Sequence, residues 1–206
     1  MFLKIESIQN KTIKNLVQLR EKSRERKKQE QFLVEGVLEI KLALASGYKF
    51  NCIYVCFDII DQNDFENNFL LPTKDFDIIE VSVQVYEKIA YRASTEGVVG
   101  VAQFKDLSVN FLELKSDNPL ILVAEAPEKP GNIGALLRTA DAANVDAVII
   151  ANPKTDLYNP NVIRSSVGGV FTNTIAVGST KEIISFLQQH NINIYGAILQ
   201  LSLIHI

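Results

Sequence analysis

Short apolar runs alternate with amphipathic segments along the first half of the chain, a pattern typical of α/β proteins. The apolar runs predict four strands: QFLVEG, FNCIYVCF, FDIIEVS and VVGVAQF. Helical spacing of apolar residues predicts three helices: NKTIKNLVQLR, VLEIKLALASG and VQVYEKIAY. Asn10 is the expected N-cap of the first helix, and Gly47 closes the second. The polar run EKSRERKKQE either extends the first helix or forms a loop, and DQNDFENN predicts a loop.

The second half of the chain continues the alternation. LILVAEA, VDAVII and INIYGAIL are apolar on both faces, which indicates strands of a parallel sheet covered by helices on each side. NTIAVG is a further candidate strand. Helices are predicted in GNIGALLRTADAAN, NPKTDLYNPNVIRSSVGGVF and STKEIISFLQQHN. The polar segment 107–118 separates the two halves, so we expect domains at residues 1–106 and 119–206 joined by a linker.

The last residues are unusual for an α/β domain. INIYGAIL, an interior strand, is followed at once by QLSLIHI, and the helix expected to cover that strand is missing. We therefore expect the second domain to be incomplete at its C-terminus. Residues 201–206 also coincide with one translation of a common sequencing adapter, which suggests that they are non-native. A native hydrophobic final strand is the alternative.

The net charge of −3 conceals a basic N-terminal segment. Residues 1–28 contain nine Lys or Arg and three Glu, whereas the other 178 residues contain 12 basic and 21 acidic side chains. A basic segment on an acidic body favours contact with a polyanion such as nucleic acid. The alternative is a solvated helix whose cations pair with the interleaved Glu21 and Glu25.

The composition disfavours two classes of protein. No apolar run reaches the ~18 residues of a membrane span, and the N-terminus lacks a hydrophobic signal core, so we expect a cytoplasmic protein. With two Cys and two His in the whole chain, no metal site is expected. Cys52 and Cys56 fall in one apolar run and are predicted to be buried, unpaired thiols.

The segment GNIGALLRTADAAN, residues 131–144, places a glycine-containing turn between an apolar strand and a helix. It fails the dinucleotide fingerprint because Leu137 follows Gly131 and Gly134 where a third glycine is needed. It also fails the pattern of a phosphate-binding loop, because no Lys-Ser or Lys-Thr pair follows either glycine. What remains is a helix N-terminus whose free N–H groups could face an anion.

Three residues of this segment are candidates for chemistry. If Asn132 caps the helix, Gly134 and Arg138 lie on one face, and Gly134 leaves room beside the guanidinium for another backbone or a ribose. We then expect all three to point to one place at the carboxyl edge of a parallel sheet, where such folds bind ligands. An ordinary asparagine cap and a surface arginine are the alternative.

NIGALLRTADAAN resembles the first motif, N-x-G-x-x-x-R-T-A, of the SpoU (TrmH-type) family of RNA ribose 2′-O-methyltransferases, which belong to the knotted SPOUT superfamily. NPNVIRSSVGGVF is similar to the family's R-x-S-x-G-x-x-F segment. The stretch from IESIQNK to FLVEG resembles the opening of the family's RNA-binding domain, and STEGVVGVAQF its close. The resemblance covers residues 4–199, whereas the family's second and third motifs, which form most of the cofactor pocket, are absent.

The resemblance implies both a fold and an activity. The fold is a ribosomal-protein-like α/β/α RNA-binding domain followed by a parallel-sheet SPOUT domain of the trefoil-knot type. The activity is transfer of a methyl group from S-adenosylmethionine to a ribose 2′-hydroxyl in structured RNA, with ribosomal RNA favoured, by a homodimer without a metal. A non-catalytic RNA-binding module is the alternative, and a nucleotide-dependent α/β enzyme is disfavoured by the missing glycine.

The resemblance also assigns residues to roles. Arg138 and Asn132 fall on the family's catalytic positions, and Ala197 on a position that contacts the cofactor. Because a guanidinium stays protonated, Arg138 is expected to clamp a phosphate or the attacking oxygen rather than remove a proton. The RNA contacts predicted from both domains are Arg20, Lys22, Arg24, Arg26, Lys27, Lys28, Arg164 and Ser165.

Some of the matching residues have a structural interpretation instead. Arg164, Ser165 and Ser166 supply donors for RNA, or they are the caps of a helix beside a glycine-packed turn. The family-like residues of FLVEG and RASTEG are predicted to form structural turns; they are Glu35, Gly36, Ser94, Thr95 and Glu96.

Overall fold

The computed structural model describes residues 3–69, 76–91 and 96–197. The first domain is built on a five-stranded mixed sheet in the order β1-β4-β3-β5-β2. Its elements are β1 (Leu3–Ile5), α1 (Lys11–Glu21), α2 (Ser23–Gln29), β2 (Gln31–Glu35), α3 (Val37–Ala45), β3 (Phe50–Val55), α4 (Gln62–Phe69), β4 (Asp77–Val81), α5 (Val83–Ile89) and β5 (Val98–Gln103). The strands β1, β4 and β3 run parallel, and β5 is antiparallel to both β3 and β2.

Helices cover both faces of this sheet, as expected for an α/β/α domain. Buried residues of α3 and α4 pack on one face, and those of α1 and α5 pack on the other. Alternate residues of each strand point to opposite faces, so both faces need apolar side chains; in β3, Ile53 faces α3 and Tyr54 faces α1. The two cysteines are buried free thiols in the α1 layer, as predicted.

The N-terminal helical region consists of two helices. Asn10 caps α1 as predicted, since its Oδ1 accepts the Thr12 N–H at 2.8 Å. Lys22 then adopts an extended conformation, which ends α1, and α2 begins at Ser23. The basic run is therefore neither an extension of α1 nor a loop, but a separate short helix.

The prediction that DQNDFENN forms a loop is wrong, because most of this segment lies in helix α4. The carboxylate of Asp61 accepts the N–H groups of Asn63 and Asp64 at the helix start. Phe65 and Phe69, four residues apart, are fully buried against the sheet. A single buried aromatic stripe and one cap thus fold a segment that is otherwise polar. The three-residue strand β1 was also not predicted.

The second domain contains a parallel sheet of three strands in the order β6-β7-β8 among the described residues. Its elements are β6 (Ile121–Glu125), α6 (Pro130–Ala142), β7 (Ala147–Ala151), α7 (Pro160–Ser166), α8 (Gly169–Thr172), β8 (Ile175–Gly178) and α9 (Thr180–Gln189), preceded by a 3-10 turn at Val109–Phe111. The helices α6, α7 and α8 pack on one face of β7, and α9 packs on the other. The predicted parallel sheet is confirmed, and both of its faces are covered at β7, whereas no residue of β6 is fully buried.

The prediction that INIYGAIL forms a strand is wrong over its described part. Residues 192–197 are irregular, and Ile194 and Tyr195 are 52% and 91% exposed. Apolar composition alone does not make a strand without a backbone partner, and no described strand pairs with this segment. Residues 198–199 lie outside the described part of the chain.

An aromatic cluster joins the two domains. The ring of Phe32 on β2 stacks on Tyr158 of the second domain with centroids 4.1 Å apart. Tyr48 and Phe171 form an edge-to-face contact with their ring centroids 5.2 Å apart. Because these rings belong to one continuous buried cluster, the domains share part of a hydrophobic core. None of the described helices is both long and apolar enough to cross a membrane.

Candidate active site

The helix that carries the candidate site, α6, begins earlier than predicted. Its N-cap is Lys129 and its first residue is Pro130, whose fixed φ suits the first helical position. Asn132 is therefore the third residue of the helix and not its cap, which corrects the predicted geometry. Its side chain is exposed, and its backbone N–H already bonds to the carbonyl of Lys129 at 3.0 Å.

The helices α6 and α7 approach each other closely at Gly134. A Cβ at this position would lie 2.6 Å from the backbone carbon of Ser165 and 2.7 Å from its Cβ, distances that real structures do not tolerate. Of the two expected neighbours of Gly134, another backbone or a ribose, the structure shows the backbone. Gly134 allows α7 to pack directly on α6.

Arg138 lies one turn further along α6, on the same face as Gly134. Its side chain is exposed, and Nη1 donates a hydrogen bond to the carbonyl of Ser165 near the end of α7. No further hydrogen bond from this guanidinium reaches a residue within the described ranges. The contact with α7 fixes the side chain and leaves donors directed to solvent.

Asn132 does not share that face. Residues six apart in a helix are separated by about 9 Å along the axis and by about 120° around it. The expectation that Asn132, Gly134 and Arg138 point to one place is therefore wrong, because it assumed that Asn132 stood outside the helix as its cap. Gly134 and Arg138 share one face of α6, whereas Asn132 lies on another face, in the first turn after β6.

The two serines of α7 have structural roles. Ser165 Oγ donates to the carbonyl of Asn161 at 2.5 Å. Ser166 Oγ donates to the carbonyl of Ile163 at 2.9 Å and accepts the N–H of Val170 at 3.2 Å. The prediction that the Ser165 hydroxyl contacts RNA is contradicted, because that hydroxyl is turned into its own helix and the residue packs against Gly134.

The ends of the three parallel strands are connected by a polar network that the sequence analysis missed. Asn152, which follows β7, donates from Nδ2 to Glu125 Oε1 at 2.8 Å and to Thr180 Oγ1 at 2.6 Å. Thr180 in turn donates to Glu125 Oε2 at 2.7 Å. These bonds, first from Asn152 and then from Thr180, hold the pKa of Glu125 below its ordinary value. The sequence contained one signal for this network, because the three residues stand at or just after consecutive strands.

Two of these strand ends have unusual backbone conformations. Ala126 and Asn152 both have φ of 45°, in the left-handed region that residues other than glycine rarely adopt. Asn152 is among the residue types that tolerate it best, whereas Ala126 has no side-chain hydrogen bond to compensate. Backbone strain of this kind is typical of functional edges.

The prediction that Arg26 contacts RNA is wrong. Its side chain is buried, and Nε forms an ion pair with Asp156 Oδ2 of the second domain at 2.6 Å. Its Nη1 donates to the carbonyls of Leu19 and Arg20 at the end of α1. Arg26 thus satisfies the end of a helix and joins the two domains, which leaves it no surface to offer to RNA.

Arg20 is also largely engaged within the protein. Its Nη1 donates to the carbonyls of Lys88 and Ala90 at the end of α5, and its Nη2 pairs with Glu21 at 2.7 Å. These contacts give Arg20 a structural role, which argues against its prediction as an RNA contact. The remaining basic residues predicted to contact RNA from the first domain are exposed; they are Lys22, Arg24, Lys27 and Lys28.

The structural interpretation of the FLVEG segment is confirmed. Glu35 accepts the backbone N–H of Tyr91 at 2.6 Å, and Glu96 accepts the N–H of Val37 at the start of α3. Gly36 has a positive φ of 107°. Ser94 and Thr95 lie outside the described residues.

Ala197 lies in the irregular segment after α9 and is exposed. It lines a cleft of about 630 Å³ beside the outer edge of β6, together with apolar side chains that include Leu120 and Ile194. This volume is in the range of small-molecule sites, and the lining combines these apolar side chains with polar ones that include Asn118 and His190. Among the described residues, no group of three His, Cys, Asp or Glu side chains is arranged to hold a metal ion.

Comparison with known proteins places these features in a family. Residues 119–204 match the SpoU rRNA Methylase family, and residues 10–100 match the MRM3-like substrate binding domain. The crystal structure of an RNA 2′-O ribose methyltransferase superposes with a TM-score of 0.75 and 35% identity, over 92% of this chain and 70% of that one.

Two further proteins extend the comparison. The chain is 34% identical over 168 residues to an uncharacterized tRNA/rRNA methyltransferase of Synechocystis, a match that covers 80% of this chain and 58% of that protein's length. The SpoU methyltransferase AviRb of Streptomyces viridochromogenes, crystallised with AdoMet, shares the fold with a TM-score of 0.76 at 23% identity, over 89% of this chain and 69% of that one.

Proposed function

Because the chain belongs to the SpoU family of RNA methylases, we propose that it methylates a ribose 2′-hydroxyl of RNA, with S-adenosylmethionine as donor and ribosomal RNA as the substrate class. The observation that carries this proposal is the position of Arg138. Its guanidinium is exposed on the helix that follows β6, and the end of a second helix holds it there. A fixed, permanently charged donor group is suited to an anionic substrate.

Arg138 acts as an electrostatic stabiliser in this proposal. A guanidinium is protonated at every physiological pH, so it cannot accept the proton of the 2′-hydroxyl. Since one donor is held by the carbonyl of Ser165, the plane of the guanidinium is set before RNA binds. Its free donors then stabilise negative charge on the attacking oxygen or on a neighbouring phosphate.

Asn132 positions a different part of the ligand. It lies in the first turn of α6, where the helix dipole favours negative charge. Its exposed amide offers both a donor and an acceptor at that end. The separation from Arg138 along the helix means that the two side chains contact different groups of the bound substrate.

The donor cofactor is assigned to the cleft beside β6. When bound, S-adenosylmethionine supplies an electrophilic methyl group. Ala197 and Leu120, which line this cleft, would hold its adenine end. Family membership supports this assignment together with the AdoMet-bound relative of the same fold.

Exposed cations of the first domain form the proposed RNA surface. Lys22, Arg24, Lys27 and Lys28 are exposed, and none of them pairs with an acidic side chain in the described parts of the chain. Lys27 and Lys154, from different domains, line one cleft of about 730 Å³ at the domain junction, which also contains Glu30 and Asp106. Phosphate attraction of this kind weakens steeply as salt rises.

Methyl transfer from labelled S-adenosylmethionine to ribosomal RNA tests the proposal. Arg138→Ala is expected to lower the rate constant by about 10²–10³-fold, the loss typical of removing a charge-stabilising donor. Arg138→Lys keeps the charge but not the planar fork, so its loss should be smaller but clear. Wild-type activity in Arg138→Ala would exclude the assigned role, and RNA binding without any transfer would favour a binding module.

The remaining parts of the proposal concern the whole protein. We place the RNA substrate-binding domain at residues 1–106, the linker at 107–118 and the methyltransferase domain from residue 119, with two separate family matches in support. A cytoplasmic homodimer is the proposed working form, by family resemblance. Sedimentation equilibrium measures the oligomeric state directly.

A further inference from the structure

A small cavity at the domain junction brings together two arginines that are far apart in the sequence. Arg20 of α1 and Arg164 of α7 both line it, and the cavity itself has room for about one water molecule, at about 20 Å³. Tyr91, two residues after α5, and Glu35 of β2 also line it. The surface around this cavity therefore combines residues of both domains.

The backbone before and at Tyr91 is held from two sides. Arg20 donates to the carbonyls of Lys88 at 3.0 Å and Ala90 at 2.8 Å, and Glu35 accepts the N–H of Tyr91 at 2.6 Å. Two charged side chains thus fix the position from which the tyrosine ring projects. The side chain itself remains 45% exposed. An exposed aromatic ring on a backbone that is already held loses less conformational entropy when a flat partner stacks on it.

Arg164 continues this surface toward the candidate active site. It is exposed on α7, and no described side chain forms an ion pair with it. The next residue, Ser165, supplies the carbonyl that accepts the Arg138 guanidinium. An aromatic ring, a free cation and the proposed catalytic arginine therefore follow one another from the first domain into the second.

We propose that an unpaired base of the RNA stacks on Tyr91 and that a phosphate next to it pairs with Arg164. The inference rests on the proposed function and names the surface that guides the strand to Arg138. Single-stranded RNA is the partner that fits, since its bases are free to stack on aromatic rings whatever their identity. A double-stranded segment keeps its bases stacked on each other and offers Tyr91 nothing comparable.

A binding series at Tyr91 tests the inference without any methyl transfer. Affinity for a ribosomal RNA fragment with unpaired nucleotides is measured by fluorescence anisotropy in the absence of S-adenosylmethionine. Tyr91→Leu keeps apolar bulk but removes the ring face, and it should weaken binding about tenfold, within the range of one lost stacking contact. Tyr91→Phe keeps the ring and should bind like the wild type.

Two controls distinguish stacking on Tyr91 from a charge effect and from the effect of removing any exposed ring. Phe111→Ala removes another exposed ring, in the 3-10 turn that precedes β6, and should leave RNA affinity unchanged. Arg164→Ala should reduce the slope of log affinity against log salt by about one, the effect of one lost phosphate contact, whereas Tyr91→Leu should leave that slope unchanged. Circular dichroism and the melting temperature confirm that each variant is folded.

The outcomes distinguish this inference from the proposed function. Wild-type affinity in folded Tyr91→Leu overturns the inference, as does an equal loss in Tyr91→Phe or a wild-type protein that does not bind the fragment. Absence of methyl transfer by the wild type contradicts the proposed function alone. In that case a tenfold loss in Tyr91→Leu still supports the stacking surface.

Discussion

At the scale of single residues, Gly134 controls how closely α7 approaches α6. Gly134→Ala is expected to lower the free energy of unfolding by about 1–3 kcal/mol, because the new methyl group would overlap the backbone of Ser165. Urea denaturation measures this change. It should also weaken methyl transfer, since the Ser165 carbonyl that holds Arg138 has to move.

Gly131 is the matched control for Gly134, because it lies in the first turn of the same helix. A Cβ at Gly131 would meet nothing within 4 Å. Gly131→Ala should leave the stability unchanged or raise it by about 0.5 kcal/mol through reduced chain entropy. Equal destabilisation by both substitutions would show that helix geometry, rather than the contact with α7, explains the loss.

The spacing of Gly134 and Arg138 could be predicted from the sequence because both lie in one regular helix. Which of the neighbouring cations are buried and which are exposed could not be predicted. Arg26 and Lys27 are adjacent in a run of similar residues, yet one is buried and the other is exposed. What separates them is the position of Asp156, 130 residues away along the chain from Arg26. Local pattern carries no information about such a partner.

At the scale of secondary-structure elements, α4 shows how a few side chains determine a helix. Asp61→Ala should destabilise the protein by about 1 kcal/mol, because two N–H groups at the helix start lose their acceptor. Asp61→Asn keeps an acceptor oxygen and should retain most of the stability. Thermal unfolding followed by circular dichroism compares the two, and equal losses would argue against a capping role.

Elements with regular apolar periodicity were predicted well, and irregular ones were not. The strands β2, β3, β4 and β5 and the helices α1, α3 and α5 appear where the pattern placed them. The polar composition of α4 concealed two buried phenylalanines, and the apolar composition of residues 192–197 did not produce a strand. In both cases composition alone did not determine the local structure.

At the scale of the whole molecule, the buried pair Arg26–Asp156 joins the domains. Asp156→Ala would leave a buried guanidinium without its counter-charge, so we expect a loss of about 3–5 kcal/mol in the free energy of unfolding. The pair Lys4–Glu80, 3.0 Å apart and partly exposed, is the control: Glu80→Ala should cost far less, as is usual for surface ion pairs. Chemical denaturation of both variants measures their free energies of unfolding. Similar losses would contradict a special role for the buried pair.

The arginines of the first domain form a chain of contacts with a consequence for protein engineering. Asp156 holds Arg26, Arg26 closes α1, and Arg20 of α1 closes α5 next to Tyr91. The two domains are therefore not interchangeable modules. A chimaera that combines the first domain of this protein with the second domain of a relative must also carry an acid at the position of Asp156. Otherwise the graft would introduce an unpaired buried charge where the two parental sequences meet.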